Sequence, residues 1–327
     1  MNVNLLRTWF WNNDEGRLRC FWRLCVQGVL FMGLVTVFLL GVIIAVPAAR
    51  GLSFWTLTGG PQILVQVAIV CVAAIGSMWL AGRFIDGRSF ADFGFHLSGA
   101  WWLDLGFGLA LGAVLMTGVF LVEWAAGWVR VTAVLQTPAT GPPFALAILI
   151  PLAVFVGVGI YEEMLFRGYL LRNLAEGFNT RVIGARLAVG LAWLLSSVLF
   201  GLGHLPNPHA TLTSTAFISL AGLFLGLGYV LTGELAIPIG LHITWNFFQG
   251  HGFGFAVSGQ TISAATLVAV ATEGPDLWTG GPFGPEAGLM GVVAMAVGCL
   301  LMVLWVRFRY QRLALCQGVA QFRPFWA

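Results

Sequence analysis

A pair of adjacent carboxylates closes a long apolar stretch in the middle of the chain. Glu162 and Glu163 follow the apolar run that starts near residue 144, and Arg167 lies four positions after Glu163. Adjacent residues of an α-helix point about 100° apart, so the two glutamates face different directions. Residues at i and i+4 share a face, so Glu163 can pair with Arg167 and leave Glu162 free. The structural alternative is a charge cluster that closes a helix at the membrane surface.

Histidines end or interrupt two further apolar stretches. His204 lies four residues after Phe200 and just before Pro206, which stops a helix. His242 and Asn246 are also four residues apart and therefore share one helical face. Both of these side chains can donate hydrogen bonds to one point. Hydrogen bonding between helices, or at a helix end, is the structural alternative for each of them.

The spacing of these motifs allows them to meet. In an antiparallel helical hairpin, Glu162 and His204 share a depth if the turn centres near residue 183. That position lies in the polar stretch 177–186. The first helix of the hairpin must then continue to about Glu176, which places Glu162 below the membrane surface.

Composition indicates a membrane protein. Hydrophobic residues make up 59% of the 327 residues and charged residues only 9%, whereas soluble domains have about 25% charged residues. A bilayer needs about 20 apolar residues per helix. We therefore predict an all-α, polytopic membrane protein of about eight spans, at residues 24–48, 63–81, 103–122, 144–163, 187–204, 212–231, 235–250 and 288–306.

The distribution of arginine predicts the orientation. All 16 basic residues are Arg, and loops on the cytoplasmic side carry the excess of basic residues. With both termini cytoplasmic, only Arg50 and Arg130 fall outside, and stretch 251–287 is an outer loop. The others, apart from Arg167 near the fourth span, fall inside: Arg7, Arg17, Arg19, Arg23, Arg83, Arg88, Arg172, Arg181, Arg186, Arg307, Arg309, Arg312 and Arg323.

The polar residues suggest hydrolysis. A carboxylate and an imidazole can orient and deprotonate a water, and His and Asn side chains can stabilise an oxyanion. These groups are the minimum for cleaving an amide without a covalent intermediate. Glu162, His204 and His242 could instead hold a divalent metal such as zinc, because one Glu and two His form a known catalytic zinc set. The residues alone leave both options open, including no metal at all.

The three motifs together resemble a known family. The order Glu-Glu-x-x-x-Arg, Phe-x-x-x-His and His-x-x-x-Asn, over about residues 145–250, is similar to type II CAAX prenyl endopeptidases, including the bacterial CPBP and bacteriocin-immunity-like members. This resemblance implies a multi-helix intramembrane peptidase of metallo- or glutamate type. It implies that Glu162 and His204 activate water and that His242 and Asn246 form the oxyanion site.

The resemblance also implies supporting roles for Glu163 and Arg167. The order of spans and motifs along the chain divides it into three parts. Residues 1–140 are expected to be a transmembrane scaffold with spans 1–3, residues 141–255 the peptidase core with spans 4–7, and residues 256–327 the outer loop, last span and basic tail. The expected substrate is a membrane-embedded or lipid-modified peptide or protein, and the cavity is expected to open toward the cytoplasm or laterally to lipid.

The cell membrane, in particular a bacterial inner or plasma membrane, is the expected location. The lipid bilayer is the expected surrounding, and no nucleic-acid partner is expected because the arginines flank apolar runs. Two other functions fit the same residues. One is a transporter that uses the Glu and His side chains as a proton relay; the other is a non-catalytic membrane scaffold.

Overall fold

Long apolar helices dominate the chain. The computed structural model describes residues 8–45, 60–138 and 142–324. Within these residues, seven helices are long and apolar enough to cross a membrane, so the chain has the fold of a polytopic, all-α membrane protein. They are α1 (Cys20–Ala45), α2 (Gly60–Ala81, extended by a π-helical turn at Gly82–Asp86), α3 (Gly99–Ala125), α4 (Phe144–Phe178), α5 (Gly184–Gly203), α6 (Leu212–Thr232) and α8 (Leu289–Tyr310).

The predicted seventh span is a short helix, α7 (Ala236–Phe247), followed by one π-helical turn (Phe248–Gly252). Its 12 residues rise about 18 Å, well short of the roughly 30 Å core of a bilayer. Nearly all of its side chains are buried by neighbouring helices. The predicted stretch 235–250, the shortest of the eight, thus forms a helix that is buried among its neighbours, and the exact number of spans stays a prediction.

The hairpin predicted from motif spacing is present. Helix α4 continues through a π-helical segment (Met164–Leu171) to Phe178, and α5 starts at Gly184 after a short turn. A π-helical segment inside an α-helix is frequent at functional sites. Glu162 therefore lies in the middle of a 35-residue helix and not at its end.

Glycines bring α7 directly against the backbone of α3. A Cβ atom on Gly108 would lie 2.4 Å from the Ile237 carbonyl oxygen, and one on Gly240 would lie 2.4 Å from the Leu105 carbonyl oxygen. No side chain larger than hydrogen fits at either position. Small residues let membrane helices pack at backbone contact, and this contact fixes the position of His242 and Asn246 on α7.

A β-ribbon covers one end of the helices. Strands β3 (Val129–Gln136) and β4 (Thr266–Thr272) pair antiparallel, although the sequence predicted only a loop at 251–287. We name this side the ribbon end; it holds residues 126–138, 204–211 and 248–288. Its short helices are Asp276–Thr279, Gly281–Phe283 and Pro285–Ala287.

The opposite side, which we name the Arg-rich end, holds residues 8–19, 82–98, 179–183, 233–235 and 311–324. It contains a two-stranded hairpin of β1 (Trp11–Asn12) and β2 (Arg17–Leu18), and two short helices, Ala91–Phe93 and Gln317–Ala320.

A buried carboxylate ties several of these segments together. Glu176 on α4 forms ion pairs with Arg17 at 2.6 Å, with Arg23 at 3.0 Å and with Arg172 at 3.6 Å. Arg88 pairs with Oε1, as Arg172 does, whereas Arg17 and Arg23 pair with Oε2. Because all four arginines have one common acceptor, Glu176 connects the N-terminal hairpin, α1, the loop after α2 and α4.

Candidate active site

The side chains of the adjacent residues Glu162 and Glu163 point in different directions, as helical geometry requires. The Glu163 side chain is fully buried, and its Oε1 atom lies 2.9 Å from an Arg167 guanidinium nitrogen. The same oxygen lies 2.7 Å from Nδ1 of His242. Arg167 also donates to the Gly222 carbonyl oxygen of α6 at 3.0 Å. The ion pair expected along α4 is thus present, and it also holds α6 and α7.

The bond to Glu163 fixes which nitrogen of His242 faces the site. An ionised carboxylate only accepts hydrogen bonds, so Nδ1 of His242 carries a proton and donates it. Nε2 therefore points the other way, and it lies 3.8 Å from Oε2 of Glu162. This separation exceeds hydrogen-bond length but brings the two polar groups to one location. The Tyr161 hydroxyl donates to Oε1 of Glu162 at 3.2 Å.

His204 has the same arrangement of its ring nitrogens. It is the C-terminal cap of α5, and its Nδ1 lies 2.8 Å from the Phe200 carbonyl oxygen. A carbonyl only accepts hydrogen bonds, so Nδ1 donates and the lone pair of the neutral ring is on Nε2. His204 is thus able to accept a proton at Nε2.

Phe200 connects the motifs through its ring. The ring centroid lies 4.7 Å from that of His204 and 6.3 Å from that of His242. The Arg167 guanidinium lies 4.5 Å from the same centroid, within the range of a cation–π contact. The phenylalanine of Phe-x-x-x-His, to which the sequence assigned no role of its own, therefore packs between both histidines and the supporting arginine.

All four predicted catalytic residues line one cavity of about 960 Å³. Its walls include Glu162 of α4, His204 at the end of α5, and His242 and Asn246 of α7. Glu163 and Arg167 lie behind this wall and do not line it. The structure therefore brings three separate helical segments to one space, with the supporting pair outside it. His209, which is close to His204 in sequence, is not among the lining residues.

A second polar cluster lines the same cavity, and sequence reasoning missed it. Glu286 is 4% exposed and accepts hydrogen bonds from the Ser258 amide at 2.5 Å, from the Ser258 hydroxyl and from the Gln249 amide. Burial raises the pKa of Glu286 to about 7. His251 also lines the cavity, and burial lowers its pKa. The sequence placed Glu286 in an outer loop, where an isolated acid carries no signal of burial.

Glu286 should make stability depend on pH. Its pKa is about 7 in the folded protein and 4.5 ordinarily, so the folded state binds the extra proton between these values. Stability should therefore be greatest below about pH 4.5 and fall by up to about 3 kcal/mol as pH rises through 7. Glu286→Gln should remove this fall, because its amide does not titrate. Melting temperatures from pH 4.5 to 8.5 test this, and an equal fall in both proteins would contradict it.

Glu163→Gln should weaken catalysis through His242 and Arg167. The amide removes the negative charge that both cations share, which leaves the buried Arg167 without a counter-charge. We expect kcat to fall about 10–100-fold, with KM little changed, because the amide weakens the bond that orients the His242 ring. The measurement is kcat and KM of the variant, together with its folded fraction. A loss of folded protein with an unchanged kcat per folded molecule would indicate a purely structural role.

The described residues give only partial support for a metal site. His204 and His242 each present Nε2 with Nδ1 held by an oxygen acceptor, an arrangement common for metal-binding histidines. However, within residues 8–45, 60–138 and 142–324 no three His, Cys, Asp or Glu side chains are placed to hold a metal ion together. The placement of these side chains therefore does not fit a single bound metal ion. The set Glu162, His204 and His242 remains a prediction that metal analysis of the purified protein tests.

Comparison with known protein families gives a match over the segment that holds these residues. Residues 143–248 match the model of the family described as type II CAAX prenyl endopeptidase Rce1-like. The match runs from the start of α4 to the end of α7 and contains every motif residue named above. This segment, about a third of the chain, is therefore an Rce1-like domain. The family indicates a peptidase and supports intramembrane endopeptidase activity in general.

Two further comparisons gave no additional relatives. A search of curated proteins found no match, and a search of solved structures found none. The family match and the geometry of the cavity are therefore the two findings that bear on function.

Proposed function

We propose that this protein is an intramembrane endopeptidase that hydrolyses a peptide bond in a hydrophobic or lipid-modified, CAAX-like polypeptide. One observation carries the proposal: Glu162, His204, His242 and Asn246, from three helical segments, line the same cavity. The Rce1-like match over the same segment supports it. The apolar lining of the cavity, which includes Phe31, Val35, Val67, Val154 and Leu165, suits a lipid chain or an apolar peptide.

The first step is activation of a water by Glu162 and His204. The Glu162 carboxylate takes one proton from the water, and Nε2 of His204 accepts a hydrogen bond from the other. The oxygen then attacks the carbonyl carbon of the scissile bond, and the carbonyl oxygen becomes an oxyanion. Removing the proton in the transition state contributes about 10²–10⁴-fold to the rate.

The oxyanion needs hydrogen-bond donors, which we assign to His242 and Asn246. Asn246 can donate from its amide nitrogen. His242 can donate from Nε2 only when both ring nitrogens carry protons, and the Glu163 carboxylate at 2.7 Å stabilises that cation. When the intermediate collapses, the C–N bond breaks and Glu162 returns its proton to the leaving nitrogen, which gives a carboxylic acid and an amine. The acid then loses its proton to the amine, so the final products are a carboxylate and an ammonium group and the protein is unchanged.

Asn246→Ala should lower kcat by about 10²–10³-fold, the usual cost of removing one oxyanion donor, with a small effect on KM. Steady-state kinetics measure this. The matched control is Thr244→Ser on the same helix, which keeps the hydroxyl bond to the Gly240 carbonyl oxygen and should cleave at the wild-type rate. Equal activity of Asn246→Ala and wild type would remove Asn246 from the site.

The test of the proposed function is hydrolysis by the purified protein in lipid vesicles. The substrates are a farnesylated CAAX-like peptide and an unmodified hydrophobic peptide, incubated in ¹⁸O-labelled water. We expect cleavage of at least one peptide, with one ¹⁸O atom in the new carboxyl terminus and no covalent adduct on the protein. Proton-coupled uptake without any cleavage would favour a transporter, and neither activity would favour a scaffold.

A further inference from the structure

Arginine divides the two ends of the molecule sharply. In the described residues, twelve arginines lie at the Arg-rich end or within about two helical turns of it: Arg17, Arg19, Arg23, Arg83, Arg88, Arg172, Arg181, Arg186, Arg307, Arg309, Arg312 and Arg323. At the ribbon end the described residues contain one, Arg130, together with three acids, Glu273, Asp276 and Glu286. Arg167 lies between the two ends and pairs with Glu163.

Contacts show that these arginines belong to one end of the fold. Arg17 of the N-terminal hairpin pairs with Glu176 near the end of α4, and Asn179 donates to the Ala320 carbonyl oxygen of the C-terminal segment at 2.8 Å. Leu235 donates from its amide to the Gly94 carbonyl oxygen. Because basic residues accumulate in cytoplasmic loops, the Arg-rich end is predicted to be cytoplasmic.

The cavity extends toward the ribbon end. Six of the polar residues that line it beyond the catalytic ones come from the ribbon and the loops beside it: Thr132, Gln136, Asn207, Ser258, Gln260 and Thr261. Two of these loops are joined, because Asn207 donates to the Ser258 carbonyl oxygen at 3.0 Å. No residue of the Arg-rich end lines the cavity. We name these six polar residues the cavity mouth.

We propose that the cavity mouth faces the non-cytoplasmic side of the membrane. The substrate is then a membrane-anchored or lipid-modified polypeptide whose cleaved bond is presented on that side, and not the tail of a cytosolic protein. This proposal differs from the sequence-based expectation of an opening toward the cytoplasm, and the other expectation, a lateral opening to lipid, stays a prediction. The choice of substrate rests on the proposed function, whereas the direction of the mouth rests only on the fold and on arginine placement.

Cysteine labelling in intact cells tests the direction without requiring activity. The five native cysteines are replaced by serine, and single cysteines are introduced as Gln260→Cys at the mouth and Leu313→Cys at the Arg-rich end. Both positions are exposed, and Thr261→Cys is a second mouth variant in case Gln260→Cys does not fold. A membrane-impermeant maleimide should label the mouth variants in intact cells and Leu313→Cys only after permeabilisation.

Labelling of Leu313→Cys alone in intact cells, equal labelling of both ends, or no labelling at the mouth before permeabilisation would overturn the proposal. The second arm adds the farnesylated peptide to vesicles of known orientation. Right-side-out vesicles should cleave it at least 10-fold faster than inverted vesicles. Correct labelling without cleavage in either orientation would contradict the proposed function and leave the direction of the mouth intact. Faster cleavage by inverted vesicles would overturn the direction and support the function.

Discussion

Glu162→Gln should reduce cleavage by about 10²–10⁴-fold, the contribution of a general base, and leave the fold intact. Glutamine keeps the size of the side chain and can still accept from the Tyr161 hydroxyl, which lies 3.2 Å from the carboxylate. It cannot take a proton from water. The Glu162 side chain is 16% exposed and lines the cavity. Its loss of charge leaves the buried Arg167 paired, because Arg167 pairs with Glu163. The measurement is kcat with the substrate found for the wild type.

The matched control for this variant is Glu234→Gln. Glu234 is also a partly buried carboxylate beside a histidine, with His96 at 2.8 Å, but it lies at the Arg-rich end, away from the cavity. It should cleave at the wild-type rate. A Glu162→Gln protein that cleaves normally, or a Glu234→Gln protein that loses activity equally, would show that the general base has been assigned wrongly.

Glu176→Gln should be the most destabilising of these changes, by roughly 3–5 kcal/mol, the usual cost of breaking a buried ion pair. Arg17, Arg23, Arg88 and Arg172 all pair with this carboxylate, and its side chain is 1% exposed. The amide leaves buried guanidinium groups without a full counter-charge. Thermal unfolding in detergent should show a large fall in melting temperature and a smaller yield of folded protein.

Glu273→Gln is the control for this ion-pair network. Glu273 pairs with Arg130 at 3.0 Å, but both side chains are more than half exposed, and exposed pairs contribute about 0–1 kcal/mol. Its melting temperature should stay close to that of the wild type. If Glu176→Gln unfolds at the same temperature as Glu273→Gln, the four arginines do not depend on the common acceptor.

Much of the candidate site follows from spacing in the sequence. The separation of Glu162 from Glu163 follows from helical geometry, and the ion pair of Glu163 with Arg167 follows from the i, i+4 rule. The turn predicted near residue 183 lies between Phe178 and Gly184, and Glu162 and His204 line the same cavity. These features depend on neighbours along one helix or one hairpin, so the sequence is sufficient to predict them.

Features that depend on distant segments could not be predicted in the same way. The bond between His242 and Glu163 spans 79 residues and depends on how α7 packs against α4. The burial of Glu286 depends on loops that lie together only in the folded protein. The ribbon was missed because β3 and β4 are separated by more than 100 residues, so their pairing has no local signal in the sequence. The extent of α7 with its π-helical turn agrees closely with the predicted stretch 235–250. Its burial among other helices could not be predicted, because burial by protein and burial by lipid both favour apolar residues.

The most direct test of the central claim is a double-mutant cycle of Glu162→Gln and His204→Gln, measured as kcat in lipid vesicles. If both side chains act on the same water, each single variant loses most of the catalytic contribution, and the double variant should be about as slow as the slower single variant. Independent roles at separate places would instead give losses that multiply. Multiplied losses, or full activity in either single variant, would contradict the arrangement of these residues around one water.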